Sequence, residues 1–572
     1  MASLLSPGVL TREIDLTNAA PAGASTSAGI AMEASWGPVD EMLLISDESS
    51  LVESFGKPSE TNYKSWFTAK NFLSYSNSMY VIRSLNTTGG SSPLNSGIQE
   101  TGVLIKNSDD VDSHSTNELV CAKYPGVLGD SLKFWMVDSS SLSGSVYESE
   151  FPNSLVSGLD LDEVHVLVID EDGLFTGVKG TILEKYEFLS KTSDAKNRDG
   201  SSNYYKSVIN QNSDYIWVLN DICEDWGKTF NEVLEDESGS LSLVADDASK
   251  WDLDQHPVFG TSQFNGEINE SLSKGNDGSA ASNSDILLSF DKFKDDELVD
   301  VSFLLCADGG KVVADGLLEI AYSRKDCIVV VSPDYDSVKS DNPLDSIKTF
   351  RHNLKLGGLK DLKSSYVVMD DNWKYQFDKY NNVNRWVPCN GDTAGLMAET
   401  DNEKAVWASP GGRSLQNVIK LAWKSNKSDR DVLYPLGVNS ITTFPGEGAL
   451  LFGDKTLLQR PSAFDRINVR RLFIYLRKII SRTSRSFLFE QNTEYTRTSF
   501  INIVEPILEE IKTRGGITDF RVVCDSSNNT GNIIDQGRFI GDIYIKPTRS
   551  INFIELNFVA VRTDVEFSEV VV

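Results

Sequence analysis

Three short, continuous apolar runs, VSFLLCA, CIVVVSP and SYVVMDD, lie between residues 301 and 371, separated by the helical segments KVVADGLLEIAYSRKD and PLDSIKTFRHNLK. Apolar runs without alternation suit strands covered on both faces, so this stretch predicts an α/β layer with buried parallel strands. Residues 24–90 form a second compact pattern: ASWGPVDEMLLI, SLVESFGKP, then the helical YKSWFTAKNFLSY leading into the apolar strand MYVIRSL. From 91 to 285 the texture changes to short strand-like runs (LVCAKY, LKFWMV, VHVLVI, YIWVL) broken by Ser/Asp/Gly/Asn-rich stretches such as KTSDAKNRDGSSN. Such breaks cannot be buried without stranding polar groups, which predicts an exposed, mainly β insertion.

Beyond residue 411 the expected order is a helix (LQNVIKLAWK), two strands (SITTF, GALLF), a helix in DRINVRRLFIYLRK and another in SFINIVEPILEEIKTR. Three strand-like runs follow, FRVVCD, FIGDIYIKP and SINFIELNFVAV. An α+β domain is the simplest reading. Both ends look like arms. Residues 1–22 are extended and rich in Pro and Gly, and the closing RTDVEFSEVVV alternates Val565 and Phe567 with polar neighbours, as a strand without a sheet would. The expected organisation is multidomain α+β and α/β: an arm (1–22), a middle α/β domain (23–90 with 286–425), a mainly β insertion (91–285), an α+β domain (426–560) and a second arm (561–572).

Charge sharpens this picture. The 572 residues carry a formal net charge of -29. Residues 351–572 hold 30 Lys+Arg against 26 Asp+Glu, leaving 24 against 57 for residues 1–350, so the acidity belongs to the N-terminal part. That field would repel nucleic acid. No apolar run approaches the ~18 residues of a membrane span. MASLLSPGVL has no basic leader or long apolar core, so synthesis in the cytoplasm without a secretory signal is expected. The six cysteines contain no C-x-x-C pair and the four histidines are scattered, so neither a zinc ribbon nor a His-based metal site is expected.

Within the acidic chain, residues 460–485 stand out with eight basic side chains and one acid, seven of the eight being Arg. Projected at 100° per residue, Arg466, Arg470, Arg471, Arg477 and Lys478 share an arc of about 140°, with Val469, Leu472, Phe473, Leu476, Ile479 and Ile480 opposite. A helix docked by its apolar face with a basic face outward is the expectation. The excess of Arg points to carboxylate recognition in two-pronged contacts, which Lys cannot make. Catalytic signals are weaker: GEGALLFGDKT lacks the spacing of a phosphate loop, no G-x-S-x-G is present, and the acids at 170–172 or around 221–225 do not stand out from so many others.

The segments KYQFDKYNNVNRWVP (374–388), PSAFDRINVRRLF (461–473), FRVVCDSSNNT (520–530) and IYIKPTRSINFIELNFVA (543–560) resemble the contractile tail sheath proteins of T-even-type bacteriophages. So do the N-terminal SPGV, SWGP (35–38), FGKP (55–58) and YPGVLGD (124–130). The likeness is dense over 1–90 and 351–572 and weak across most of 91–285. It implies a structural, non-enzymatic virion subunit without cofactors, stacked in hexameric rings around a tail tube and contracting to drive that tube through the host envelope. Implied partners are further copies of the chain, the tube protein, and baseplate and tail terminator proteins, with no nucleic acid and no membrane insertion. The resemblance makes 91–285 the outer domain and 426–560 the inner, tube-facing one. It assigns tube binding to Arg466, Arg470, Arg471, Arg477 and Lys478. Strand exchange between subunits falls to Val9, Leu10, Thr11, Arg12, Glu13 and Ile14 in one arm and to Val565, Glu566, Phe567 and Ser568 in the other. The competing reading is a tail-associated polysaccharide hydrolase using paired carboxylates.

Overall fold

In the computed structural model the scattered apolar runs become neighbours in one eight-stranded sheet. The structure describes residues 26–552 apart from 88, 100–101, 114–115, 139–140, 153–161, 223–225, 228–256, 259–261, 264–266 and 356–362. Both groups of strand-exchange residues, Val9 to Ile14 and Val565 to Ser568, lie outside the described residues.

The chain enters through β1 (Ala28–Met32) and β2 (Met42–Ile45), and helix α1 (Tyr63–Leu73) leads into β3 (Met79–Arg83). The insertion follows, with β4 (Val120–Ala122), β5 (Leu132–Asp138), β6 (Glu163–Asp170), β7 (Thr181–Ser190), β8 (Ile216–Val218), β9 (Pro257–Val258), β10 (Ser262–Gln263) and β11 (Glu267–Ser271). The body then resumes as β12 (Phe303–Leu305), α2 (Gly310–Arg324), β13 (Ile328–Val331), α3 (Pro343–Asn353) and β14 (Val367–Asp370). A hairpin of β15 (Trp373–Asp378) and β16 (Val383–Pro388) precedes α4 (Asn390–Glu403), β17 (Lys420–Leu421), β18 (Val438–Thr443) and β19 (Ala449–Phe452). Last come α5 (Ile467–Ser484), α6 (Glu494–Thr513), β20 (Ile517–Val523) and β21 (Asp542–Pro547).

The sheet order is β19-β18-β14-β13-β12-β1-β3-β2. Every inner pair is parallel, and only the outermost pairs, β18 with β19 and β2 with β3, are antiparallel. Because successive strand side chains point to opposite faces, Val329 and Val331 join a core with Val313, Leu317 and Ile320 of α2 and Ile347 and Phe350 of α3. Ile328 and Val330 join a second core with Phe67 and Phe72 of α1 and Ala394, Met397 and Ala398 of α4. Coverage on both faces is why these strands read as unbroken apolar runs. α1 and α4 touch closely. A Cβ at Gly391 would sit 2.3 Å from the Thr68 carbonyl oxygen, so this crossing requires glycine.

Two expectations are corrected by this arrangement. LQNVIKLAWK (415–424) is not a helix: Ile419 and Ala422 donate backbone hydrogen bonds to Tyr375 and Trp373, and β17 extends the β15–β16 hairpin. The boundary expected at 425/426 also moves, because β18 and β19 belong to the large sheet rather than to the following α+β unit. That unit starts at α5. Leu472 and Leu476 of α5 pack with Phe500, Val504, Leu508 and Ile511 of α6 and with Ile517 of β20.

The insertion builds its own core around the antiparallel sheet β11-β5-β6-β7 and the pair β4–β8. Its entry and exit run side by side, joined by antiparallel bridges between Asn86 and Ser279, Leu94 and Asn276, and Gly97 and Ser273.

Candidate functional site

The arginine-rich segment forms α5, and its two sides are both occupied. Leu472 and Leu476 face α6, while Ile467 and Ile474 are packed in the core beneath the large sheet with Phe303 and Val330. On the helical projection these two isoleucines fall at about 100° and 80° from Arg466, in the middle of the basic arc. A solvated face would not carry them. They are the signal that the sequence offered for a buried basic side.

Four of the five expected tube-binding side chains are accordingly engaged inside the subunit. Arg471 and Asp401 form a two-pronged ion pair, each only 4% exposed. Arg471 also donates to the Met397 carbonyl at 2.9 Å and lies 4.8 Å from the Phe303 ring. Arg466 donates to Asp454 at 2.7 Å and to the Tyr434 hydroxyl at 2.6 Å. Arg470 lies between the Tyr366 and Phe464 rings, at 4.3 and 4.1 Å, and donates to the Ser365 and Tyr366 hydroxyls; burial pulls its pKa down. Lys478 donates to Asp300 at 2.6 Å and to the Val301 carbonyl at 2.9 Å, and Arg482 reaches the same carboxylate. Only Arg477 of the five is exposed. The expectation of an outward basic face is therefore corrected: the acids it needed are supplied by the chain's own body.

Three carboxylates organise this seam, and sequence reasoning named none of them, since nothing local marks one acid among 83. Burial raises the Asp300 pKa, but the charges of Lys478 and Arg482 more than offset it and the group ends lower than usual. Asp454 follows the same pattern: burial pushes up, while hydrogen bonds from Ser550 and Asn552 and the Arg466 charge bring it down. At Asp300 and Asp454 the ionised carboxylate is thus favoured.

At the far end of α5 the surface opens. Arg485 is exposed, and Leu488 and the fully exposed Phe489, held at φ 70°, form the turn into α6. Beyond α6, β20 and β21 pair with each other and, among the described residues, with no further strand. Phe520, Val522, Ile543 and Ile545 pack towards α6, while Arg521 and Tyr544 point outward. Each strand therefore keeps an outer edge of backbone donors and acceptors among these residues.

Among the acids weighed as catalytic candidates, one has a clear structural part. Asp170 accepts hydrogen bonds from the Ser131 and Thr176 hydroxyls and so fixes the loop after β6. Among the described residues, no three His, Cys, Asp or Glu side chains are grouped to hold a metal ion.

Comparison with known proteins gives the family. Residues 279–457 match the central domain of phage tail sheath proteins, and residues 459–560 match the phage tail sheath C-terminal domain. The seam at α5 lies just after that junction. The tail sheath protein of Vibrio phage KVP40 is 30% identical and aligns over 100% of both chains; that of Enterobacteria phage T4 is 31% identical over 99% of both. The fold recurs in the sheath tail protein of Listeria innocua (TM-score 0.52, 13% identity, 92% of this chain and 96% of that one). It recurs too in that of Desulfitobacterium hafniense (TM-score 0.51, 11% identity, 92% and 97%). With whole-length relatives and both family domains in order, this chain belongs to the phage tail sheath proteins, the structural subunits of the sheath in the tail of the virion.

Proposed function

We propose that the chain polymerises as stacked hexameric rings around a tail tube and contracts to drive the tube through the host envelope. Neighbours are linked by strand addition onto β20 and β21. The observation that carries this reading is the two-stranded β20–β21 sheet, whose outer edges are unpaired among the described residues. The donors are the alternating segments around Val9–Ile14 and Val565–Ser568 of other copies. Such a link contributes ~0.5–1.5 kcal/mol per backbone hydrogen bond but costs ~1–2 kcal/mol per ordered residue, so a single link is weak and a lattice of links is strong.

Tube contact is carried in this reading by Arg477 on α5 and by Arg485 just beyond its end, rather than by the cations committed to the body. Exposed ion pairs of ~0.2–1 kcal/mol, repeated around each ring, hold the tube yet release it one by one. The mainly β insertion faces outward. Baseplate and tail terminator proteins cap the polymer, which assembles in the host cytoplasm.

Deletion of residues 1–20, or of 561–572, is expected to leave a folded monomer with near-wild-type thermal unfolding that no longer polymerises, measured by calorimetry and light scattering. Tubular polymers from either truncation would refute strand exchange through that arm.

A further inference from the structure

The two ends of the described chain run along the same helix. At one end, the Thr26 hydroxyl donates to Asp401 at 2.5 Å, the carboxylate that clamps Arg471. The Ser27 hydroxyl donates to the carbonyl of Asp300, whose side chain holds Lys478 and Arg482. At the other end, the Thr548 carbonyl accepts from Asn468, and Ser550 and Asn552 both donate to Asp454, the partner of Arg466. Asn552 further donates to the Tyr434 hydroxyl at 2.6 Å, within the same cluster.

We propose that α5 is a strut between the roots of the two terminal segments, with Asp401 and Asp454 as the positioning residues that fix each root to it. Arg466 and Arg471 are five residues apart, about 7.5 Å of helix. They point about 140° apart around its axis, so the two roots are fastened to different sides of one rigid element. Each carboxylate does double duty, one oxygen set answering an arginine of the helix and the same group receiving the hydroxyl or amide of the departing chain. Load arriving through one terminal segment has along α5 a route to the other, beside the one through β1 and the large sheet. Three of the cations that the sequence offered to a tube, Arg466, Arg471 and Lys478, are in this arrangement the fasteners of that strut. This inference rests on the strand-exchange reading above, in which the terminal segments are the links between copies.

Two variants loosen the roots while sparing the ion pairs: Thr26→Val, and Ser550→Ala combined with Asn552→Ala. Both keep Arg471–Asp401 and Arg466–Asp454, so the unfolding midpoint should stay near wild type. Hydrogen exchange on the full-length monomer should then rise at least tenfold at residues 26–28 in the first and 548–552 in the second, with α5 unchanged. Polymers of either variant, imaged by electron microscopy, should show a broadened spread of helical rise and twist. Unchanged exchange at the roots would overturn the clamp, whatever the polymers look like. Loosened roots with polymers as regular as wild type would overturn the strut. Polymerisation of the arm-deleted chains would overturn the linking reading instead, and it is told apart because it leaves the root exchange of the two variants untouched.

Discussion

Replacement of Arg471 by alanine tests the buried seam most directly. The substitution strands Asp401 at 4% exposure with the Thr26 hydroxyl as its remaining hydrogen-bond donor, and it also removes the bond to Met397 and the contact with Phe303. Breaking a buried pair from one side costs about 3–5 kcal/mol, because the surviving charge stays desolvated. The total stability of a folded domain is only about 5–15 kcal/mol, so the variant should lose a large part of it. Arg477→Ala, at an exposed position on the same helix, should stay within about 0.5 kcal/mol of wild type. Urea unfolding followed by circular dichroism at low protein concentration measures both. The pair Arg471→Met with Asp401→Leu should recover most of the loss, since apolar replacement of both partners leaves no orphan charge. Equal stability of Arg471→Ala and Arg477→Ala would refute the account of α5 as an internally fastened helix.

Two further outcomes follow from the same structure. Burial at the end of β14 pushes the Asp370 carboxyl up and that of Asp371 to about 7, above the ~3.9 of an unfolded chain, so the folded state binds the extra protons and stability falls as pH rises from about 4 to 7. Asp371→Asn should flatten that decline, and denaturation curves at pH 5 and pH 8 with an unchanged difference would contradict it. Arg477→Glu with Arg485→Glu should leave unfolding unaltered yet weaken co-assembly with purified tail tubes, and added salt should weaken wild-type decoration likewise; wild-type decoration by the double variant at low salt would sink the assignment.

The parallel strands were legible because burial on both faces writes itself into sequence as VSFLLCA and CIVVVSP. The misread segment shows the limit. Leu415, Val418, Ile419 and Ala422 have helical spacing, but the backbone of Trp373 and Tyr375 recruits the segment into an edge, and that partner lies 44 to 49 residues away. The candidate site failed for a related reason. The arc brings the five cations together, yet the acids that pair with three of them, Asp300, Asp401 and Asp454, come from three separate stretches, and only Ile467 and Ile474 inside the arc betray a buried face.

The stitched stem of the insertion has an evolutionary consequence. Bridges from Asn86 to Ser279 and from Gly97 to Ser273 close the excursion at its base, and the chain beyond returns to the body at a few points, such as the Pro125 carbonyl that accepts from Arg83 of β3. Lengthening a loop that is already closed costs only about 0.6 kcal/mol per doubling. A lineage of such chains can therefore enlarge or trim what stands on that stem at small cost to the strands that let its subunits fold.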